Sequence, residues 1–327
     1  MGAVFGASSL LAGTSGIALV TSLFGATGAG LAGYRVSRRI GSIKEFTFLP
    51  LIKKNELKRR SLNVTIGISG WLKSEEDLIS PWKKLKEGDM YCLKYETEIL
   101  LSIGQALNSL LATSVIGIAT NEVLKKTILN GLVASIAWPL TILQAGSILD
   151  NPWSLGLDRS KKAGLILADA LINYAQGHRP VNLVGFSLGA RVIFYCLEEL
   201  LLRSENNFQL FDIIENVVLL GAPITCDKKR WKAVRTLISG RFINGYIEQD
   251  WILSFLHRAT SLMKMKENSL NIKNNTIIES VDLSEIVEGH LDYINQVPTI
   301  LNKLGFQINE FESDVVPETL FETTFTF

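Results

Sequence analysis

Short apolar runs alternate with longer segments of helical spacing along most of the chain. Leu62–Ile68 is rich in β-branched residues and ends at Ser69-Gly70, which predicts a strand. Met90–Tyr95 predicts a second, shorter one. Lys161–Ala175 has helical spacing with a mixed polar face, and Pro180 breaks it. Val181–Phe186 then reads as a buried strand, followed by a helix over Leu188–Leu202. Further strands are predicted at Ile214–Leu220, closed by Gly221-Ala222-Pro223, at Phe242–Ile247 and at Thr276–Val281. A helix begins at about Asp250, and another opens at His290 and reaches about Leu304. Apolar strands alternating with amphipathic helices predict an α/β fold, its sheet mostly parallel and covered on both faces.

Two greasy regions depart from this pattern. Met1–Tyr34 has no charged side chain, is dominated by Gly, Ala, Ser and Thr, and is followed by Arg35, Arg38 and Arg39. It is too long for a simple signal peptide and lacks the basic start of one. Its length would span a hydrocarbon core, its small residues suit close helix packing in lipid, and the arginines favour a cytoplasmic location for the rest of the chain. The alternative is a pair of small-residue helices buried against protein. The abrupt apolar opening is what a piece of a longer chain would show. Gly28, Gly30 and Gly33 also satisfy G-x-G-x-x-G, but the preceding residues read as helix, so a dinucleotide site is not expected. The second region, 99–149, interrupts the sheet pattern as an insertion and is expected to be helical, over or beside the carboxyl edge of the sheet. Glu122, Lys125 and Lys126 split it into two uncharged runs of 23 residues, Ile99–Asn121 and Thr127–Leu149, the second kinked by Pro139. Either could cross a bilayer, but the Ser, Thr, Asn and Gln that interrupt both favour burial. The domain plan is therefore an apolar helical segment over 1–50, an α/β domain over 60–305 carrying the insertion, and a flexible acidic tail over 306–327.

Composition narrows the chemistry. Of 327 residues, 33 are Lys or Arg and 32 Asp or Glu, a net charge of +1 that gives no case for nucleic acid as a partner. Cys92, Cys196 and Cys226 form neither a disulfide framework nor a zinc motif. The three histidines, His178, His257 and His290, are too few for a histidine-rich metal site, and neither metal nor cofactor is expected.

Gly185-Phe-Ser-Leu-Gly189 lies between a buried-type strand and a long helix, the setting of a nucleophile elbow. There Ser187 would occupy a strained turn at a helix N-terminus, where backbone N–H groups face a developing anion; the plainer alternative is a helix N-cap. A serine hydroxyl needs a base to take its proton and an acid to orient that base, in the chain order Ser, Asp or Glu, His. His290 follows the last strand and is the expected base, ahead of His257, which lies inside an apparent helix. Asp250, just past strand Phe242–Ile247, is the expected acid. Glu248 sits nearer the strand end, and Asp292 is too close to His290. The oxyanion donors would be the N–H of Leu188 and that of Trp71 or Leu72, from the loop after the first strand.

These motifs, together with Ile68-Ser-Gly-Trp-Leu72, Asp150-Asn-Pro-Trp153, Pro180–Ile193, Leu219–Pro223, Ser239–Tyr246 with Asp250-Trp251, Val281-Asp-Leu283 and Gly289–Tyr293, resemble the transmembrane and coiled-coil domain-containing protein 4 family, also known as DUF726. The resemblance covers most of Leu62–Leu304. It implies an α/β-hydrolase fold with membrane-associated helices, and places nucleophile, acid and base on Ser187, Asp250 and His290. No heptad run matches the coiled-coil label. The expected function is a serine hydrolase of an acyl ester or thioester, with a lipid-like substrate suggested by the greasy insertion, associated with a membrane and facing the cytoplasm. The rival expectations are a peptidase and a catalytically silent scaffold acting as an adaptor.

Overall fold

A computed structural model describes residues 43–53, 61–86, 88–119, 152–204, 213–225, 227–254, 256, 278–308 and 315–317. Met1–Tyr34, residues 120–149 of the insertion, Cys226 and His257 lie outside these residues.

Eight strands form one sheet: β1 Phe46–Lys53, β2 Val64–Ile68, β3 Asp89–Tyr95, β4 Val181–Phe186, β5 Ile214–Leu220, β6 Phe242–Tyr246, β7 Glu279–Asp282 and β8 Val315–Pro317. Their order is β7-β6-β5-β4-β2-β3-β1-β8. The pairs from β3 to β7 are all parallel, and β1 runs antiparallel to both β3 and β8. The helices are α1 Thr97–Ala119, α2 Pro152–Ile172, α3 Leu188–Ser204, α4 Lys228–Arg235 and α5 Tyr293–Lys303.

Residues along a strand alternate faces, and the two cores follow that period of two. Val217 and Leu219 of β5 join the core under α2, α3 and α4, with Val181 and Leu183 of β4. Val218 and Leu220 join the opposite core, with Val184 and Phe186 of β4, apolar residues of α1 and α5, and Trp82. Burial on both faces is why these strands read as continuous apolar runs rather than alternating ones.

Two strands fall where the sequence predicts none. Phe46–Pro50 is sheet, not part of an apolar helical segment reaching residue 50, and Val315–Pro317 is strand inside the stretch expected to be a flexible tail. Pro50 disguises β1, because proline argues against a central strand. Among the described residues β8 pairs with Leu51–Lys53, beyond Pro50. The last predicted strand begins later than expected, at Glu279.

Helix α1 opens the insertion, and one face of its first half packs on protein. Leu100, Ile103, Leu107 and Leu110 are buried at helical spacing, while Ser102, Gln105, Asn108 and Ser109 are exposed. Among the described residues no helix is long and apolar enough to cross a membrane. Residues 120–149 of the insertion lie outside the described ones.

The start of α1 is fixed by two carboxylates. Glu96 has a left-handed φ of 44°, uncommon for a residue with a side chain. Its buried carboxylate accepts the backbone N–H groups of Lys44 and Glu45 and faces Arg159 of α2 at 3.5 Å. Glu45 in turn accepts the N–H of Thr97 at 3.0 Å. The strand β1, the turn into α1 and α2 are thereby tied at one point. Glu96→Ala strands two backbone donors and the Arg159 guanidinium, so it is expected to cost about 2–4 kcal/mol of stability, with Glu96→Gln intermediate. Urea denaturation of the three proteins measures this. A cost for Glu96→Ala no larger than that of an ordinary surface change would refute it.

Candidate active site

The parallel strands end in register. Ile68 lies opposite Gly185, Phe186 opposite Leu220, and Leu220 opposite Gly245. The residues that follow β2, β4, β5, β6 and β7 therefore gather at one edge, although they are far apart in the chain.

Ser187 sits between β4 and α3 with φ of 53°, in the left-handed region. Its N–H donates to the Leu220 carbonyl at 2.8 Å, extending the β4–β5 ladder into the turn, and its carbonyl accepts the N–H of Arg191 at 3.2 Å as α3 begins. The turn is this tight because backbone packs on backbone. A Cβ on Gly189 would lie 2.7 Å from the Ile68 carbonyl carbon, and one on Gly70 would lie 2.7 Å from the Gly189 nitrogen. Neither position has room for a methyl group.

Three predicted residues meet here. Ser187 Oγ and His290 Nε2 are 2.9 Å apart, and His290 Nδ1 and Asp250 Oδ2 are 2.8 Å apart. All three are buried, at 0% exposure for Ser187, 1% for His290 and 4% for Asp250, which strengthens hydrogen bonds by excluding water. Asp250 is at once a helix cap and a partner of His290. Its Oδ1 accepts the N–H of Leu253 at 2.8 Å, from the first turn of the helical segment 251–254, while Oδ2 faces the ring. The cap fixes the carboxylate that aligns the imidazole.

His290 begins a 3-10 turn, His290–Asp292, that leads directly into α5. Tyr293, the first residue of α5, presents its ring edge-on to the imidazole at 5.8 Å between centroids. Burial pushes its phenol well above the ordinary range, with the Asp250 and Asp282 carboxylates adding to the shift. Sequence pattern assigns Tyr293 no role, although it closes the Gly289–Tyr293 motif. The Leu253 N–H escapes sequence reasoning as well, since a backbone donor leaves no mark in side-chain pattern.

The remaining candidates separate. Glu248 is exposed, and its N–H donates to Ser284 Oγ. The Asp292 carboxylate accepts from Asn295 Nδ2 and faces the Glu288 N–H. Trp71 and Leu72 are both fully buried beside the turn. The Leu72 N–H donates to the Leu100 carbonyl of α1 at 3.2 Å. Trp71 packs edge-on against Phe186, with centroids 6.2 Å apart. Cys92 and Cys196 are buried, which pushes both thiols well up and keeps them protonated. Among the described residues no group of His, Cys, Asp and Glu could hold a metal ion.

Residues 1–307 match the family described as "Protein of unknown function (DUF726)". The chain belongs to the DUF726 family. Three relatives share its sequence over nearly all of its length. An "Uncharacterized membrane protein" of Caenorhabditis elegans is 38% identical over 95% of this chain and 50% of its own. The "Transmembrane and coiled-coil domain-containing protein STS1" of Oryza sativa is 40% identical over 96% of this chain and 46% of its own. The "Probable lipase MIL1" of Saccharomyces cerevisiae is 39% identical over 93% of this chain and 28% of its own. The chain thus spans half or less of the length of these relatives.

The packing at the turn makes a contrast between two glycines. Gly70→Ala would drive a methyl into the backbone of α3 and is expected to cost about 1–3 kcal/mol. Gly289, beside His290, has extended backbone and nothing within 4 Å of an added Cβ. Gly289→Ala is expected to stay within about 0.5 kcal/mol of the native chain. Equal denaturation midpoints for the two variants would show that the turn is not closely packed on Gly70.

Proposed function

We propose that this DUF726 protein is a serine hydrolase of the α/β-hydrolase fold, cleaving an acyl ester or thioester with a lipid-like acyl group at or near a membrane. The observation that carries the reading is the continuous hydrogen-bonded chain Ser187–His290–Asp250. The strand order, with one antiparallel strand outside a parallel run and the serine on a left-handed turn after the central β4, supports the fold assignment. A relative named as a probable lipase supports the reaction class, and relatives named as membrane proteins support the location.

In this mechanism His290 carries its proton on Nδ1, held toward Asp250, and its Nε2 lone pair faces Ser187. As Oγ attacks the substrate carbonyl carbon, its proton passes to Nε2 and the carbonyl π electrons move onto oxygen. The N–H of Leu188 stabilises that oxyanion together with the N–H of Trp71, because the Leu72 N–H is already donated to Leu100. The tetrahedral species collapses, the carbon–oxygen or carbon–sulfur bond breaks, and the leaving alcohol or thiol takes the proton from Nε2. Water then gives a proton to Nε2 and attacks the acyl-serine. Release of the carboxylic acid restores the Ser187 hydroxyl. The Asp250 carboxylate accepts from Nδ1 and stabilises the imidazolium in both halves.

The test is covalent labelling by a fluorophosphonate, followed by turnover of a p-nitrophenyl ester series. The native chain is expected to label and Ser187→Ala to remain folded but unlabelled. Asp250→Asn keeps the packing but favours the wrong tautomer, and should lower turnover by about four orders of magnitude. No labelling of a folded native chain, or labelling that survives in Ser187→Ala, would remove the hydrolase reading and leave a scaffold. Ester turnover that does not rise with acyl length would remove the lipid-like acyl preference alone.

A further inference from the structure

The charges around the candidate site are sorted by face. On the face formed by α2, α3 and α4, three cations converge on one aromatic ring. Lys161 Nζ lies 5.4 Å from the Tyr195 centroid, the Arg191 guanidinium 4.7 Å and that of Arg230 5.8 Å. Glu198 neutralises Arg230 through two bonds of 2.7 and 2.9 Å. Arg191, largely buried under the patch, donates to the backbone carbonyls of Leu157 and Pro223. Lys228 and Lys229, both exposed, extend the patch along the first turn of α4. Asp227 caps α4 through the N–H of Lys229, and the exposed Asp158 of α2 is paired with Lys162 at 2.6 Å. Among the described residues Lys161, Lys228 and Lys229 have no carboxylate partner.

The patch is next to the reaction edge. Arg191 is one helical turn beyond Ser187, and Pro223 and α4 follow β5 at the same edge where Ser187 follows β4. The loops that rim the other face are mainly of the opposite sign, with Glu75, Glu76, Glu248 and Glu288 exposed alongside Lys73. A negatively charged plane would attract one rim and repel the other, so it would meet the site in a single orientation.

We propose that the exposed Lys161, Lys228 and Lys229, with Arg191 behind them, form a docking face for the anionic headgroup layer of a phospholipid membrane, which seats the Ser187 edge against that layer. The occupant is chosen by charge complementarity: flexible lysines at the periphery suit a fluid array of phosphates, each cation contributing a similar increment. The greasy segments of the same chain would bind neutral and anionic lipid alike, so a preference for anionic lipid isolates this patch. The inference concerns binding and does not depend on hydrolysis.

The experiment is flotation of the full chain with vesicles of phosphatidylcholine alone or mixed with phosphatidylserine. The native chain is expected to prefer the anionic vesicles, and the preference to shrink as salt is raised. The triple variant Lys161→Glu, Lys228→Glu, Lys229→Glu should lose at least about tenfold of that preference while keeping its binding to neutral vesicles. Should it fail to fold, Lys228→Gln with Lys229→Gln gives the same comparison with a smaller loss. Ser187→Ala should keep the preference in full, which separates this proposal from the hydrolase reading. Equal binding of the native chain to both vesicles, or an unchanged preference in the folded variant, would overturn it. So would displacement by inorganic phosphate beyond that of sodium chloride at matched ionic strength, which would point to a soluble phosphate ligand instead.

Discussion

The parallel register of β2, β4, β5, β6 and β7 is the constraint on which the site depends. A one-residue slip would send every side chain of a strand to the other face and move the residue after it off the shared edge. Ser187, Asp250 and His290 follow three different strands, and only a register fixed on both faces lets their side chains meet at 2.9 and 2.8 Å. Both faces do fix it. Val217 and Leu219 answer to one core and Val218 and Leu220 to the other, so β5 cannot slide without exposing one set. Stability and site geometry are in this sense the same property of the sheet.

The turn at Ser187 adds a local constraint to that global one. Its left-handed backbone is unfavourable for a serine, and the surrounding contacts hold it there: the Ser187 N–H on the Leu220 carbonyl, Ile68 against Gly189, and Gly70 against the start of α3. The loop that bears Trp71 is part of this packing. A group that would stabilise an oxyanion and the residue that would create one are therefore positioned by a shared set of backbone contacts.

Much of this is legible in the sequence, for identifiable reasons. Val181–Phe186 and Ile214–Leu220 are the strands as found, because burial on both faces leaves an unbroken apolar signature. Gly185-Phe-Ser-Leu-Gly189 locates Ser187 because the turn excludes side chains on either side. Asp250 reads as an acid with a helix cap as the alternative, and its two oxygens serve both partners. What escapes is information not carried by periodicity. Strand β1 contains Pro50 and lies next to the sheet's edge, and β8 is three residues long. The tie between Glu96, Arg159 and the backbone of Lys44 and Glu45 joins segments whose spacing predicts no contact. Arg191 sits in the recognisable motif, but the ring of cations around Tyr195 is assembled from three helices and no linear pattern records it.

The seat of α1 has a mechanical consequence. The helix touches the Trp71 loop at two points: the Leu100 carbonyl takes the Leu72 N–H, and Gly104 lies so close to Leu72 that an added Cβ would stand 2.7 Å from its carbonyl carbon. Only a hydrogen atom fits at position 104, so any side chain there would push helix and loop apart. The absence of a side chain on one residue of α1 thus sets how closely the insertion lies against the loop that carries Trp71.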